Sequence, residues 1–359
     1  MKILIVITGL GMGGAEHVVV NLADSLSARG YSVKIVYLTG EAVVLPKNTD
    51  IEIFSVGMKS INSFFFAYFK LYKIIKKFKP DVVHGHMFHA NLITRLLRLS
   101  VKIPKLISTA HSNNEGGKLR MLAYRLTNNL ADGFTNVSQD AVDTFVRRGA
   151  APQGRMQSVV NGIDLNRFSF DPEVRIIKRT ELNCHKNIIL AVGRLDTPKD
   201  YPNLLNAIKI LSEKRNDFKV LIAGDGRLKE MLEMMAINLN IANFVNFIGV
   251  RHDVHELMSA ADIFVLSSSW EGFGLVVAEA MACERIVVAT DCGGVREVVD
   301  TCGFLVPPEN SLLLARSLGN ALDLSYTDRS KHGILARQRI IDKFSLDSNI
   351  NSFIKMYTS

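Results

Sequence analysis

Short apolar runs alternate with amphipathic stretches along the whole chain, and that alternation predicts parallel βαβ units. In the first half, strands are expected near residues 2–8, 32–38, 50–54, 81–84, 104–109, 133–137 and 156–160. In the second half they are expected near 187–192, 218–223, 244–248, 262–266, 286–290 and 304–306. Between the halves, residues 161–186 ("NGIDLNRFSFDPEVRIIKRTELNCHK") have loop character and few periodic positions, which marks a hinge. The expectation is an α/β protein of two doubly wound, Rossmann-like domains, 1–165 and 186–344, with a linker over 166–185 and a central cleft. The last amphipathic stretch, 345–359, is free to return to the first domain.

Composition supports two cores. With 359 residues, 48% hydrophobic and 22% charged, there is material for two ordinary α/β domains. The four cysteines, Cys184, Cys283, Cys292 and Cys302, stand alone, without metal-ligand spacing, which suggests a reduced, cytoplasmic setting. No signal peptide is read at the N-terminus, and no run reaches the ~20 apolar residues needed to span a bilayer.

Charge is divided unevenly. Residues 1–170 carry 21 Lys and Arg against 11 Asp and Glu, whereas 171–359 carry 22 against 24. A basic first half suggests an anionic partner. Its clearest element is "SINSFFFAYFKLYKIIKKFK", residues 60–79. Wound as a helix, it gathers Lys70, Lys73 and Lys77 opposite Phe64, Tyr68, Leu71, Ile75 and Phe78, and Lys76 joins them as a charge for a membrane face. A surface helix packed on a sheet explains this pattern. So does an interfacial helix on anionic lipid, and three consecutive phenylalanines exceed what one packing face needs. Nucleic acid is not expected, because no stacking aromatics are interleaved with base-reading residues.

Residues 8–19, "TGLGMGGAEHVV", place Gly9-x-Gly11-x-x-Gly14 between a strand and a helix. A dinucleotide site would also need an acid ending the second strand, but that strand ends in Leu38, Thr39 and Gly40. The adjacent Gly13 and Gly14 instead suit backbone approach to the phosphate or sugar of another ligand.

Four segments of the second half leave strands at positions that should line one crevice. "VGRLDTPKD" supplies Arg194 and Lys199, "GDGRLKE" begins at Gly224, and "GVRHDV" holds Val250 and Arg251. "SSSWEGFGLVVAEAMAC" places Glu271 in a glycine-flanked turn and Glu279 inside the following helix. A helix starting near Gly274 would present free N–H groups and the positive end of its dipole to an anion. Arg194 and Lys199 would add full charges to the same phosphates. Glu279 could accept from the vicinal hydroxyls of a ribose and Glu271 from a second ring. Each residue alone also suits a solvated loop or a favourable dipole partner; their co-occurrence describes a nucleotide diphosphate sugar site.

"GGAE", "GRLDTPK", "GDG", "EGFGLVVAEA" and "GGVREVV" resemble the motif series of the retaining GT-B glycosyltransferases of family 4, over essentially the whole chain. The resemblance implies that Arg194 and Lys199 hold the donor diphosphate while Glu279 takes the ribose and Glu271 the sugar. It implies amide contacts around Phe273, Gly274 and Leu275, a base near Val250 and Arg251, and Gly13 and Gly14 at the diphosphate. His111, in "STAHSNN", would lie near the sugar's 6-position. One departure is Asp200, where many relatives have glycine.

No D-x-D segment is present to hold a metal, so metal-independent transfer without a cofactor is expected, with the cations and helix end meeting the leaving charge. In "HGHMFHA", His84 and His86 fall on one strand face but no acidic ligand adjoins them, which favours cleft lining, with His86 or His89 near the acceptor. The chain is similar to O-antigen and capsule transferases. That likeness implies a polyisoprenyl-diphosphate-linked acceptor at the inner membrane face and a UDP-sugar donor, UDP-GalNAc or UDP-GlcNAc. A nucleotide-sugar 2-epimerase of the same fold and a noncatalytic nucleotide-sugar-binding protein are the alternatives.

Overall fold

The computed structural model describes residues 1–58 and 63–359, in two compact units. The first comprises Met1–Gly162 and Asp347–Ser359, the second Ile163–Leu346.

In the first unit the strands are β1 (Lys2–Gly9), β2 (Ser32–Thr39), β3 (Glu52–Ser55), β4 (Val82–His86), β5 (Lys105–Thr109), β6 (Gly133–Asn136) and β7 (Met156–Ser158). The helices between them are α1 (Gly14–Ala28), α2 (Phe64–Phe78), α3 (Phe88–Leu97), α4 (Lys118–Thr127) and α5 (Gln139–Arg147). The sheet order is β3-β2-β1-β4-β5-β6-β7, every pair parallel. Ile3 to Ile7 are all buried, the continuous apolar run of a central parallel strand covered on both faces. Right-handed crossovers put α1 on one face and α2 to α5 on the other. Gly85 of β4 admits α3, since a Cβ there would stand 2.8 Å from Asn91 Oδ1 and 2.9 Å from Thr94 Oγ1.

The second unit opens with α6 (Pro172–Glu181). It continues with β8 (Asn187–Val192), α7 (Tyr201–Ser212), β9 (Phe218–Ala223), α8 (Lys229–Asn238), β10 (Val245–Gly249), α9 (Val254–Ala260) and β11 (Ile263–Leu266). Then follow α10 (Leu275–Ala282), β12 (Ile286–Thr290), α11 (Val295–Val299), β13 (Phe304–Val306), α12 (Ser311–Asp323) and α13 (Tyr326–Phe344). The order β10-β9-β8-β11-β12-β13 is again all parallel. Its core stacks β8 and β9 residues such as Ile189 and Ile222 against Leu204 and Ile208 of α7 and Leu318 of α12.

Part of the segment read as a linker, 166–185, is a helix. Asp171 caps α6, accepting from the N–H groups of Glu173 (2.9 Å) and Val174 (3.0 Å), and Pro172 fits the first turn. Its docking is polar. Arg175 and Arg179 both reach the Asp262 carboxylate, at 2.6 and 3.0 Å, so no apolar stripe announces the helix.

The final helix, α14 (Leu346–Thr358), packs on the α1 face of the first unit. Arg29 donates to Asn351 (2.6 Å) and Asp347 (2.9 Å). Ile350, Phe353 and Tyr357 are buried.

The helix expected over 60–79 is present from Phe64 to Phe78; residues 60–62 of that reading lie outside the described residues. Leu71 and Ile75 are buried and Phe64, Tyr68 and Phe78 pack beside them, while Lys70, Lys73, Lys76 and Lys77 are exposed. Phe65, Phe66 and Phe69 are exposed too, so the phenylalanine run exceeds its packing face.

Candidate functional site

In each sheet the strand order reverses at one place: between β8 and β11 in the second unit, and between β1 and β4 in the first. Loops leaving such a switch point diverge and open a crevice at the strands' carboxyl ends. The loop after β8 carries Arg194 and Lys199, and that after β11 carries Glu271.

These loops are laced by backbone hydrogen bonds: Gly193 N–H to Ala223 (3.0 Å), Leu195 N–H to Asp225 (2.9 Å) and Gly224 N–H to Gly249 (2.8 Å). Gly224, at φ +146°, lies so close to Gly193 that any Cβ would collide with its carbonyl oxygen. The glycine expected at the donor site is therefore required by contact between two loops.

Lys199 closes a one-turn 3₁₀ helix, Thr197–Lys199, capped by Asp196. Asp200 follows at φ 42°, the left-handed region where glycine is usual, and caps α7 by accepting from Asn203 N–H (3.3 Å). The departure at this position thus keeps the glycine-like backbone and adds a cap. Lys199 Nζ meets Glu271 Oε1 at 2.5 Å, with both side chains largely buried. Ser268 Oγ donates to the same oxygen (2.7 Å), and Ser267 Oγ donates to the Lys199 carbonyl (2.8 Å). Arg194 is exposed in the same loop, and its charge acts on Asp196.

Gly274, at φ 87°, starts α10, and a Cβ there would press on Val295 at 3.0 Å. Phe273 is buried against the Phe344 ring (5.6 Å), so this residue offers its backbone, and not its ring, to the crevice. Glu279 lies just over one turn into α10. Desolvation pushes its carboxyl up to about 8, a rise that Arg167 partly opposes. Val250 is half exposed. Arg251 is fixed by Asp253, with Nε to Oδ1 at 2.8 Å and Nη2 to Oδ2 at 2.5 Å.

Sequence reasoning missed Arg167, which falls in the supposed linker outside any motif, and Ser268, whose role is visible only once Glu271 turns back to it. It also missed Lys178. Burial pulls this ammonium down, but the hydrogen bonds it donates to Asp253, Glu181 and Glu256 outweigh that and hold the pKa above its ordinary value.

In the first unit the switch point lies beside Gly9–Gly14 and His86–His89. Gly13 precedes α1, and the Glu16 carboxylate leans over it, 2.5 Å from where a Cβ would stand; Gly14 is exposed. At the end of β2, Thr39 Oγ1 donates to the Thr8 carbonyl (2.9 Å), and no acid takes its place. His84, His86 and His111 form a stack, with His86 Nδ1 at 2.9 Å from His111 Nε2. His84 Nδ1 meets Tyr357 OH (2.6 Å) and its Nε2 meets Thr109 Oγ1 (2.7 Å). Burial keeps all three rings neutral, lowering His84 to about 3 and His111 to about 4. His86 Nε2 is buried without a partner among the described residues. His89 is only partly buried, at the start of α3.

Comparison with known proteins agrees with this architecture. The profile "Glycosyl transferases group 1" matches residues 174–339, and "Glycosyltransferase Family 4" matches 12–167. A Campylobacter jejuni protein named GalNAc-alpha-(1->4)-GalNAc-alpha-(1->3)-diNAcBac-PP-undecaprenol alpha-1,4-N-acetyl-D-galactosaminyltransferase is 28% identical over 331 residues, covering 89% of this chain and 88% of its own. The Escherichia coli UDP-Gal:alpha-D-GlcNAc-diphosphoundecaprenol alpha-1,3-galactosyltransferase is 24% identical over 304 residues, covering 80% and 77%. Among solved structures, Anabaena HepE in complex with UDP and glucose superposes with a TM-score of 0.86 at 21% identity, covering 100% of this chain and 99% of that one. Two all-parallel α/β units, the paired Lys199 and Glu271 at a switch point, and family profiles over both halves lead to one assignment: the chain belongs to the family 4-type glycosyltransferases of GT-B fold.

Proposed function

We propose that the chain moves a hexosyl or N-acetylhexosaminyl group from a UDP-sugar, UDP-GalNAc or UDP-GlcNAc, to an undecaprenyl-diphosphate-linked saccharide during O-antigen or surface polysaccharide synthesis. The relatives' names support that acceptor class. The observation that carries the reading is the Lys199–Glu271 pair at the switch point, with Glu279 beyond it on α10.

The two side chains satisfy each other. A bound diphosphate competes for Lys199, with Arg194 and the α10 N-terminus as further donors. Glu271, still held by Ser268, is then released to accept from sugar hydroxyls. Glu279 accepts from the ribose, Val250 and Arg251 flank the base, and Gly224 and the amides of Phe273, Gly274 and Leu275 complete the donor contacts. Gly13 and Gly14 are assigned to the diphosphate and His111 to the sugar's 6-position. His86 or His89 is assigned to the acceptor.

The sugar C1–O bond to the β-phosphate breaks with its electron pair going to the phosphate oxygen. The acceptor hydroxyl forms the new C1–O bond on the same face, with retention, and its proton passes to the departing phosphate. Lys199 and Arg194 neutralise the charge developing there, the part a metal plays in other transferases. Lys70, Lys73, Lys76 and Lys77 of α2 hold the enzyme to the anionic inner membrane face, where the acceptor resides. No helix among the described residues is long and apolar enough to cross a membrane.

Lys199→Met is expected to lower kcat by roughly 10²–10³-fold, the usual loss for one donor to a developing anion. Wild-type turnover with a short lipid-diphosphate acceptor should persist in EDTA, and strict dependence on added Mn²⁺ would overturn the metal-free step. Incubation with donor alone separates the alternatives, since a new nucleotide sugar would mean an epimerase.

A further inference from the structure

α2 is not the only helix of its sheet face with an apolar surface turned outward. On α4, Leu119, Leu122 and Leu126 are 82%, 49% and 75% exposed. Their spacing, three and then four residues, sets them in one stripe, while Met121 and Tyr124 on the opposite side are buried. Lys118 and Arg125 are exposed along one edge of the stripe. From residue 116 to 131 the chain has Lys118, Arg120 and Arg125 and no acid. The flanking acids are engaged elsewhere, Glu115 by Tyr124 (2.5 Å) and Asp132 by Arg98 (2.9 Å).

α4 also shares its sheet face with α2. Between them lies α3, whose Phe88 ring meets Tyr124 of α4 (5.2 Å). On its other side Tyr68 of α2 bonds Ser100, just beyond α3 (2.5 Å). The two exposed stripes, Phe65, Phe66 and Phe69 on α2 and the three leucines on α4, thus flank one buried helix. From residue 53 to 80 the α2 region likewise has no acid.

We propose that α4 is a second lipid-contacting element, whose leucine stripe enters the headgroup boundary of an anionic bilayer while Lys118 and Arg125 bind its phosphates. This rests on the reading of α2 as membrane-bound and deepens it: one helix tethers, and two flanking the same buried helix fix which face of the unit meets the lipid. An anionic surface fits both halves of the pattern, apolar centre and cationic edge. A second copy of the chain does not. An antiparallel two-fold interface on this stripe would set Lys118 and Arg125 of one copy against the same pair of the other, and any pairing of the stripe alone would rest on three leucines a side.

The test uses the full chain, vesicles of phosphatidylcholine with or without phosphatidylglycerol, and flotation. Because the leucines are exposed, Leu119→Ser/Leu122→Ser/Leu126→Ser should keep the wild-type melting temperature yet lower partition into anionic vesicles by about tenfold. A Leu122→Trp variant should be quenched by brominated acyl chains beyond the signal of Trp270, the single native tryptophan. Quenching of Phe66→Trp but not of Leu122→Trp would overturn the α4 proposal and leave α2 standing. Absence of any vesicle binding by the wild type would overturn both. A concentration-dependent dimer dissolved by the triple serine variant would name a second copy as the occupant and also overturn it.

Discussion

Glu279 has a carboxyl pushed up to about 8 by desolvation, with only the Arg167 charge set against that rise. A carboxyl raised in this way contributes stability only while protonated. Its contribution is complete below the ordinary value of 4.5 and is lost as the pH climbs through about 8. Glu279→Gln should therefore melt higher than the wild type at pH 8.5, with the gap closing toward pH 5. On the proposed role of Glu279, ribose hydroxyls donating to it would favour its ionised form, so donor binding should release a proton near pH 7. Calorimetry of a UDP-sugar in two buffers of different ionisation enthalpy measures that release, which the glutamine variant should lack. The order of strands and loops sets Lys199 and Glu271 at one crevice. It could not show that they pair with each other, because that depends on where the β8 and β11 loops turn. The left-handed backbone at Asp200 was equally hidden, since aspartate gives no signal of a positive φ.

At the scale of elements, what could be read from the sequence tracks how each one is buried. β1, β8 and β12 are covered on both faces, so their apolar runs announce them. α6 reads as loop in the sequence because its anchor is charge. Of its residues only Lys178 is buried, and Ile176 and Ile177 face outward. Asp262 holds this anchor, receiving Arg175, Arg179 and the Ile188 N–H at 2.8 Å. Asp262→Ala would leave two part-buried guanidinium groups without their carboxylate and should cost about 3–5 kcal/mol by urea denaturation. A loss under about 1 kcal/mol would mean that α6 is held by something other than this pair.

At the scale of the molecule, α14 belongs to the first unit although the whole second unit precedes it in sequence. Tyr357 ties it to the buried His84, and Tyr357→Phe should cost about 1–3 kcal/mol by leaving a ring nitrogen unpaired. Chemical denaturation with a tryptophan placed in the first unit would read that loss directly. The path of the chain crosses between units twice, and the two crossings are joined where Ile163 donates to Phe344 (2.8 Å) and Leu346 donates to Ile163 (3.0 Å).

This order has a consequence on the ribosome. Residues 347–359 leave the exit tunnel after all of the second unit, so the unit that starts first finishes last. Until then the floor beneath β4 lies open to the solvent of the cell. Chaperones that seek greasy surfaces therefore have a window as long as the translation of the entire second unit.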